Sequence, residues 1–217
     1  MRLVYRYPVL LSIVLLALLL CTSAYDPSPQ SLVINGSFED TPRQGRAPTS
    51  WWDCSAKGES PVDVHGSTSN FHGVQSEASD GKTFLGMVVR DNNTVEGISQ
   101  HLDEPLDADR TYAYSVDLKQ AARYISMSRT TMDSLVNFTR PATFTLYGGN
   151  EYCERSTYQE LDAPIVVNDT IWRTFYNEFV VSGPLNFITL SAGYEETSST
   201  AYNGNVLVDN FQLYEVR

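Results

Sequence analysis

The side chains of this sequence best suited to recognition are aromatic ones in polar, loop-like surroundings. Trp51 and Trp52 stand side by side after the Pro-rich stretch 41–50, Phe71 lies in a Ser- and Gly-rich segment, and Tyr124 and Tyr152 follow strand-like runs. A flat aromatic face can stack on the apolar side of a pyranose, with amide or guanidinium groups such as Asn150 and Arg123 meeting its hydroxyls. Strands are also built from aromatics, so each of the five competes with a plain core role. Adjacent residues of an extended segment point to opposite faces, which leaves at most one of Trp51 and Trp52 for the core.

A second chemistry is suggested by an acid in an apolar phase. Residues 203–216 read NGNVLVDNFQLYEV: an Asn-Gly turn launches a strand in which Leu207, Phe211 and Leu213 share one face at period two, and Asp209 falls in phase with them. Burying an ionised Asp unpaired is costly, so a bulge must rotate it outward, or hydrogen bonds or a cation must neutralise it. Catalytic motifs are missing from the sequence: it has no Gly-rich phosphate loop, no HExxH and no GxSxG elbow. His65, His72 and His101 lack a short metal-ligand spacing, and nothing singles out two acids as a glycosidase pair. The expectation is a protein without catalytic residues.

The ends and the charge set the context. Arg2 and Arg6, the apolar run 9–20, and the small residues Thr22 and Ala24 read as a secretory signal over residues 1–24, with a tether over 25–30 and one domain over 31–217. Export places the protein outside the cell or on its surface; attachment as a lipoprotein at Cys21 is the less favoured alternative because Leu20 precedes it. The apolar run is short for a membrane span of about 20 residues, so no transmembrane segment is expected in the mature chain. Loss of Arg2 and Arg6 takes the formal charge from -11 to -13, which repels nucleic-acid phosphates and anionic lipid. Cys54 and Cys153 then remain, an even pair that in an exported chain invites a disulfide, two free thiols being the alternative.

These residues must be positioned by short strands. Residues 111–120 alternate cleanly, with Tyr112, Tyr114, Val116 and Leu118 on one face. Further strands are expected over 31–40 (Leu32, Ile34 and Phe38 on one face, with Asn35-Gly36 interrupting the strand as a turn or bulge would), 80–90, 94–102, 142–147, 165–167, 172–181 and 186–194. Residues 54–79 read as a long loop with one short strand, and 123–137 as strand plus loop rather than helix. Many short strands separated by turns, with no convincing helix, indicate an all-β antiparallel sandwich or jelly roll.

Three stretches in this order carry a family resemblance: SLVINGSFED at 31–40, GKTFLGMVVR with HLDEPLDADRTYAYSVDL at 81–118, and YNGNVLVDNFQLYEV at 202–216. Together they resemble the galactose-binding-like jelly rolls of the carbohydrate-binding-module class carried by exported bacterial surface proteins. The resemblance implies a non-catalytic module that binds a glycan or another cell-surface component, with a structural or adhesive module holding a protein partner and having no sugar site as the alternative. It also implies one Trp beneath the first strand. In several branches a structural calcium lies between the first and last strands, and its ligands would here be Glu39 and Asp209, oxygen donors of the kind calcium prefers.

Overall fold

Period-two runs broken by Gly-, Asn- and Pro-containing turns form thirteen strands among the described residues. They are β1 (Trp52–Asp53), β2 (Asp63–Gly66), β3 (Thr83–Val89), β4 (Gly97–Leu106), β5 (Thr111–Lys119), β6 (Ile125–Met127), β7 (Leu135–Asn137), β8 (Arg140–Gly149), β9 (Gln159–Glu160), β10 (Ile165–Val167), β11 (Arg173–Val180), β12 (Leu185–Gly193) and β13 (Gly204–Glu215). The structure is a computed structural model that describes residues 30–216. The expected signal over 1–24, Cys21 and the tether up to residue 29 lie outside the described residues. Among the described residues no helix is long and apolar enough to cross a membrane.

One sheet runs β2-β3-β13-β5-β11; the other runs β1-β4-β12-β8, with β9 and β10 both on the far edge of β8. Apart from a short parallel contact joining the sheets at Gly204 and Arg140, all pairings are antiparallel. The chain is an all-β, largely antiparallel sandwich of the jelly-roll kind. Its main core lies between the sheets and takes Tyr112, Tyr114, Val116 and Leu118 from β5, Phe144 and Leu146 from β8, and Ile188 and Leu190 from β12. A smaller core of Phe84, Val88, Leu207, Tyr124 and Phe138 lies on the other side of β3 and β13, under the β6–β7 hairpin.

Two expectations fail for reasons of local geometry. Residues 31–40 form no regular strand. Asn35 and Phe38 take positive φ (53° and 52°), so Val33 and Phe38 turn inward while Ile34 is 55% exposed. The turn is held by Asn35, whose Oδ1 accepts from Glu39 N and whose Nδ2 donates to Thr49 O. The segment still lies beside β13, with Leu32 N donating to Leu213 O and Phe211 N to Gly36 O. On β13 itself, the register with β5 shifts between Asp209 and Gln212, and Asn210 has φ +48°. This bulge reverses the alternation, so Phe211 and Leu213 face the main core whereas Leu207 faces the smaller one. Asp209 therefore never shares a face with Phe211.

Candidate functional site

The outward positions of the β1-β4-β12 sheet build an open aromatic surface. Alternation along β12 sends Ile188 and Leu190 to the core and turns Phe187 the other way, directly across from His101 of β4. Trp52 pairs with Ser99 on the same sheet. Tyr152 comes from the segment after β8 and completes the group. The Trp52 and Tyr152 rings meet edge to face with centroids 5.7 Å apart, Tyr152 lies 6.5 Å from Phe187, and Phe187 lies 4.8 Å from His101. The four line a shallow concavity of about 400 Å³. Trp52 and Tyr152 each keep 48% of their surface exposed, so their ring faces are unspent.

A disulfide links the two segments that carry Trp52 and Tyr152. Cys54 follows Trp52 by two residues and Cys153 follows Tyr152 directly; the two are bonded, with Cα atoms 5.2 Å apart. The thiol alternative is thereby removed. The Tyr152 hydroxyl donates to Asp53 O over 3.3 Å, and Arg155 Nη2 reaches Cys54 O over 3.4 Å. Burial pushes the Tyr152 phenol upward in pKa.

Of the other expected ligand-binding residues, Trp51 and Tyr124 are corrections. Trp51 is 5% exposed and packs against Phe38 and Phe211, with Nε1 donating to Asn35 O. Trp51 thus fills the core while Trp52 faces out, as adjacent extended residues must. Tyr124 is buried in the smaller core, its ring stacked 4.8 Å from His72 and its hydroxyl donating to Asp63 Oδ2 over 2.5 Å. Phe71 is half-buried against His65. None of the three belongs to the open surface. Conversely, sequence reasoning missed Phe187 and His101, although the alternation of β12 would have marked Phe187 as the one aromatic facing away from its core-directed neighbours.

Around Tyr124 lies a buried polar cluster. His72 Nε2 sits 3.2 Å from Asp63 Oδ2 and His72 Nδ1 lies 3.0 Å from Ile125 O. Burial raises the Asp63 carboxyl, but His72 and Tyr124 outweigh it and hold the acid below its usual range. His65 is fully buried and stacked on Phe84, its two ring nitrogens without a hydrogen-bond partner among the described residues. Burial lowers its pKa to about 4, so it is a neutral packing residue. Arg90 and Glu96 form a buried ion pair nearby, and Glu96 also accepts from Val88 N.

The expected calcium pair occupies a different chemistry. Glu39 Oε1 accepts from Lys82 N and Thr83 N; Asp209 Oδ2 accepts from Ser79 N and Asp80 N, and its Oδ1 from Asn210 N. One turn, 79–83, thus feeds backbone N–H groups to both acids. Calcium takes about six to eight oxygen ligands, yet three of these four oxygens already accept N–H groups, and among the described residues no three His, Cys, Asp or Glu side chains form a metal-holding group. The donor set is that of hydrogen-bonded structural carboxylates and does not by itself fit calcium. Burial pushes Asp209 up to about 7 against those N–H donors. Asp117, opposite Asp209 on β5, accepts from Thr174 Oγ1 and Ser79 Oγ. This second acid pair is buried beneath the same turn rather than facing a cleft.

No family model matches the sequence, and no curated protein matches it. Solved structures share the fold. The CBM22-1-CBM22-2 tandem domain of Paenibacillus barcinonensis Xyn10C is 19% identical with a TM-score of 0.50, over 90% of this chain and 49% of that one. The Stig cyclase Fisc from Fischerella sp. TAU, solved with an indole compound, is 14% identical with a TM-score of 0.54, over 87% and 98%. The K2 cleaved adhesin domain of Lys-gingipain is 8% identical with a TM-score of 0.52, over 84% and 96%. These likenesses are of fold, and the fold serves a sugar-module tandem, an adhesin and a cyclase alike.

Proposed function

We propose that this protein is a non-catalytic, exported glycan-binding module whose binding face is the open surface of Trp52, Tyr152, Phe187 and His101. The observation that carries this reading is the pair of half-exposed rings, Trp52 and Tyr152, set edge to face on a surface that no other described segment covers. A cluster of exposed aromatic faces marks an interaction site, and a sugar ring matches it with an apolar C–H face and a polar rim. The acidic charge of the chain favours a neutral glycan over a polyanion.

The test is a binding screen of the mature domain against neutral and acidic polysaccharides, repeated with Trp52→Ala. Retention by at least one neutral polysaccharide, lost in the variant, supports the reading; no retention by any polysaccharide removes it.

A second reading, an adhesive module with a protein partner, rests on a different place. Val166, Ile171, Tyr176 and Val180 are exposed on and between β10 and β11, each of which borders a sheet. Loss of cell-surface attachment in Tyr176→Ala, in a protein that no polysaccharide retains, would favour it.

A further inference from the structure

The segment that carries Tyr152 is tied to the domain in an unusual way. Between Gly149 and Gln159 the main-chain hydrogen bonds recorded are internal ones, Thr157 N to Glu154 O and Tyr158 N to Arg155 O. Its ties to the rest of the domain are side-chain ones. Asn150 bonds Pro184 O and Asn186 at one end. Beyond it, among the described residues, come the bonds of 3.3–3.4 Å from Tyr152 and Arg155 to Asp53 O, Cys54 O and Ser191 Oγ, the ring contacts of Tyr152 with Trp52 and Phe187 and of Tyr158 with Tyr147, and the one covalent tie, the bridge from Cys153 to Cys54. Cys153 itself sits at φ +53°, a backbone conformation that costs a non-glycine residue free energy and persists only when held.

We infer that the Cys54–Cys153 disulfide is the positioning element of the glycan face, so that ligand binding is coupled to the oxidation state of this bridge. The bridge anchors the residue next to Tyr152 to the residue two beyond Trp52, and so fixes the distance between the two rings. A dithiol reductant passes two electrons and two protons to the bridge, leaves Cys54 and Cys153 as thiols and itself closes to a disulfide. The segment then loses its one covalent tie to the Trp52 segment, Tyr152 is free to move away from Trp52, and the face loses one of its two walls. Coupling between sites is reciprocal: whatever factor the bridge adds to glycan affinity, bound glycan adds to the bridge's resistance to reduction.

This inference rests on the glycan-binding reading, and the experiment separates the two. The oxidised protein and the Cys54→Ser/Cys153→Ser protein are titrated with the polysaccharide selected by the screen, at a temperature where circular dichroism shows both folded. Hydrogen exchange of residues 150–158 is followed without ligand. Affinity is expected to fall about tenfold or more on loss of the bridge, within the usual range of site coupling, and exchange in 150–158 to rise while the β12 amides stay protected. Saturating polysaccharide should slow reduction by dithiothreitol. Equal affinity in both forms, or unchanged exchange of 150–158, overturns the inference and leaves the binding face standing. Binding in neither form overturns the glycan reading instead. A bridge that is merely structural would lower the unfolding midpoint without altering affinity.

Discussion

The open face on β1, β4 and β12 and the buried cluster under the β6–β7 hairpin contain similar residue types: aromatics, a histidine and polar neighbours. They differ in what those groups have left to offer. In the cluster, the Tyr124 hydroxyl, the Asp63 carboxylate and the His72 imidazole bond one another, and His65 is sealed between rings. On the open face the ring surfaces of Trp52 and Tyr152 contact water. Residue type therefore nominates a site, but unsatisfied and accessible surface decides it. A buried aromatic is spent on the fold, whereas an exposed cluster is free for a ligand.

The adjacent tryptophans give the largest contrast. Trp51→Ala should cost about 3–5 kcal/mol of stability, the usual range for removing a fully packed large aromatic, read as a drop in the denaturant midpoint. Trp52→Ala should fall within about 1 kcal/mol of wild type, since surface changes away from special features are small, while removing glycan affinity. If both variants destabilise equally, the contrast between spent and free rings fails.

Next in size is the buried cluster. Tyr124→Phe deletes a donor to a buried carboxylate and should cost about 1–3 kcal/mol, with affinity unchanged in the same titration. Lost affinity there would mean that the two regions are coupled.

A pH series separates them further. His65 has its folded pKa lowered to about 4 from 6.5; its contribution is complete above pH 6.5 and is lost as pH falls toward 4, because the unfolded chain then takes a proton the folded one refuses. Asp209, raised from 3.8 to about 7, acts in the opposite sense: its contribution is complete below 3.8 and is lost as pH rises through 7. The two slopes oppose each other between pH 4 and 6.5. Asp209→Asn should therefore make stability climb more steeply with pH across that window, and His65→Phe should make it fall, each measured by urea unfolding at several pH values. Parallel profiles for all three proteins would refute both assignments.

The smallest effect concerns calcium. Because backbone N–H groups already occupy three of the four oxygens of Glu39 and Asp209, the unfolding midpoint should not move between EDTA and millimolar calcium. An ion that bound only the folded state would raise it, and a rise abolished by Asp209→Ala would restore the metal reading.

Much of this fold is legible in the sequence because the period-two signal is strong where both faces are specified, as in β5, where Tyr112, Tyr114, Val116 and Leu118 all enter the core. Legibility ends where the backbone leaves the regular strand. The positive φ of Asn35 and Phe38 and the bulge at Asn210 break the alternation; Asn35-Gly36 and the in-phase Asp209 mark in the sequence that it is interrupted, but not which way the neighbouring side chains then turn. The site was half legible for the same kind of reason. Trp52 and Tyr152 stand in stretches that read as loop-like in the sequence, where an aromatic is conspicuous, whereas Phe187 and His101 hide inside strands, and their meeting depends on the register of β4 against β12. Tyr124 misled because its polar surroundings in sequence are buried surroundings in space.

The most direct test of the central claim is calorimetric titration of the screened polysaccharide into four folded proteins: wild type, Trp52→Ala, Tyr152→Ala and Tyr176→Ala. The open-face account predicts that the first two substitutions each abolish or sharply weaken binding and that Tyr176→Ala binds as wild type does. Full affinity in Trp52→Ala and Tyr152→Ala, with affinity lost in Tyr176→Ala, would contradict it and move the binding surface to the β10–β11 side of the sandwich.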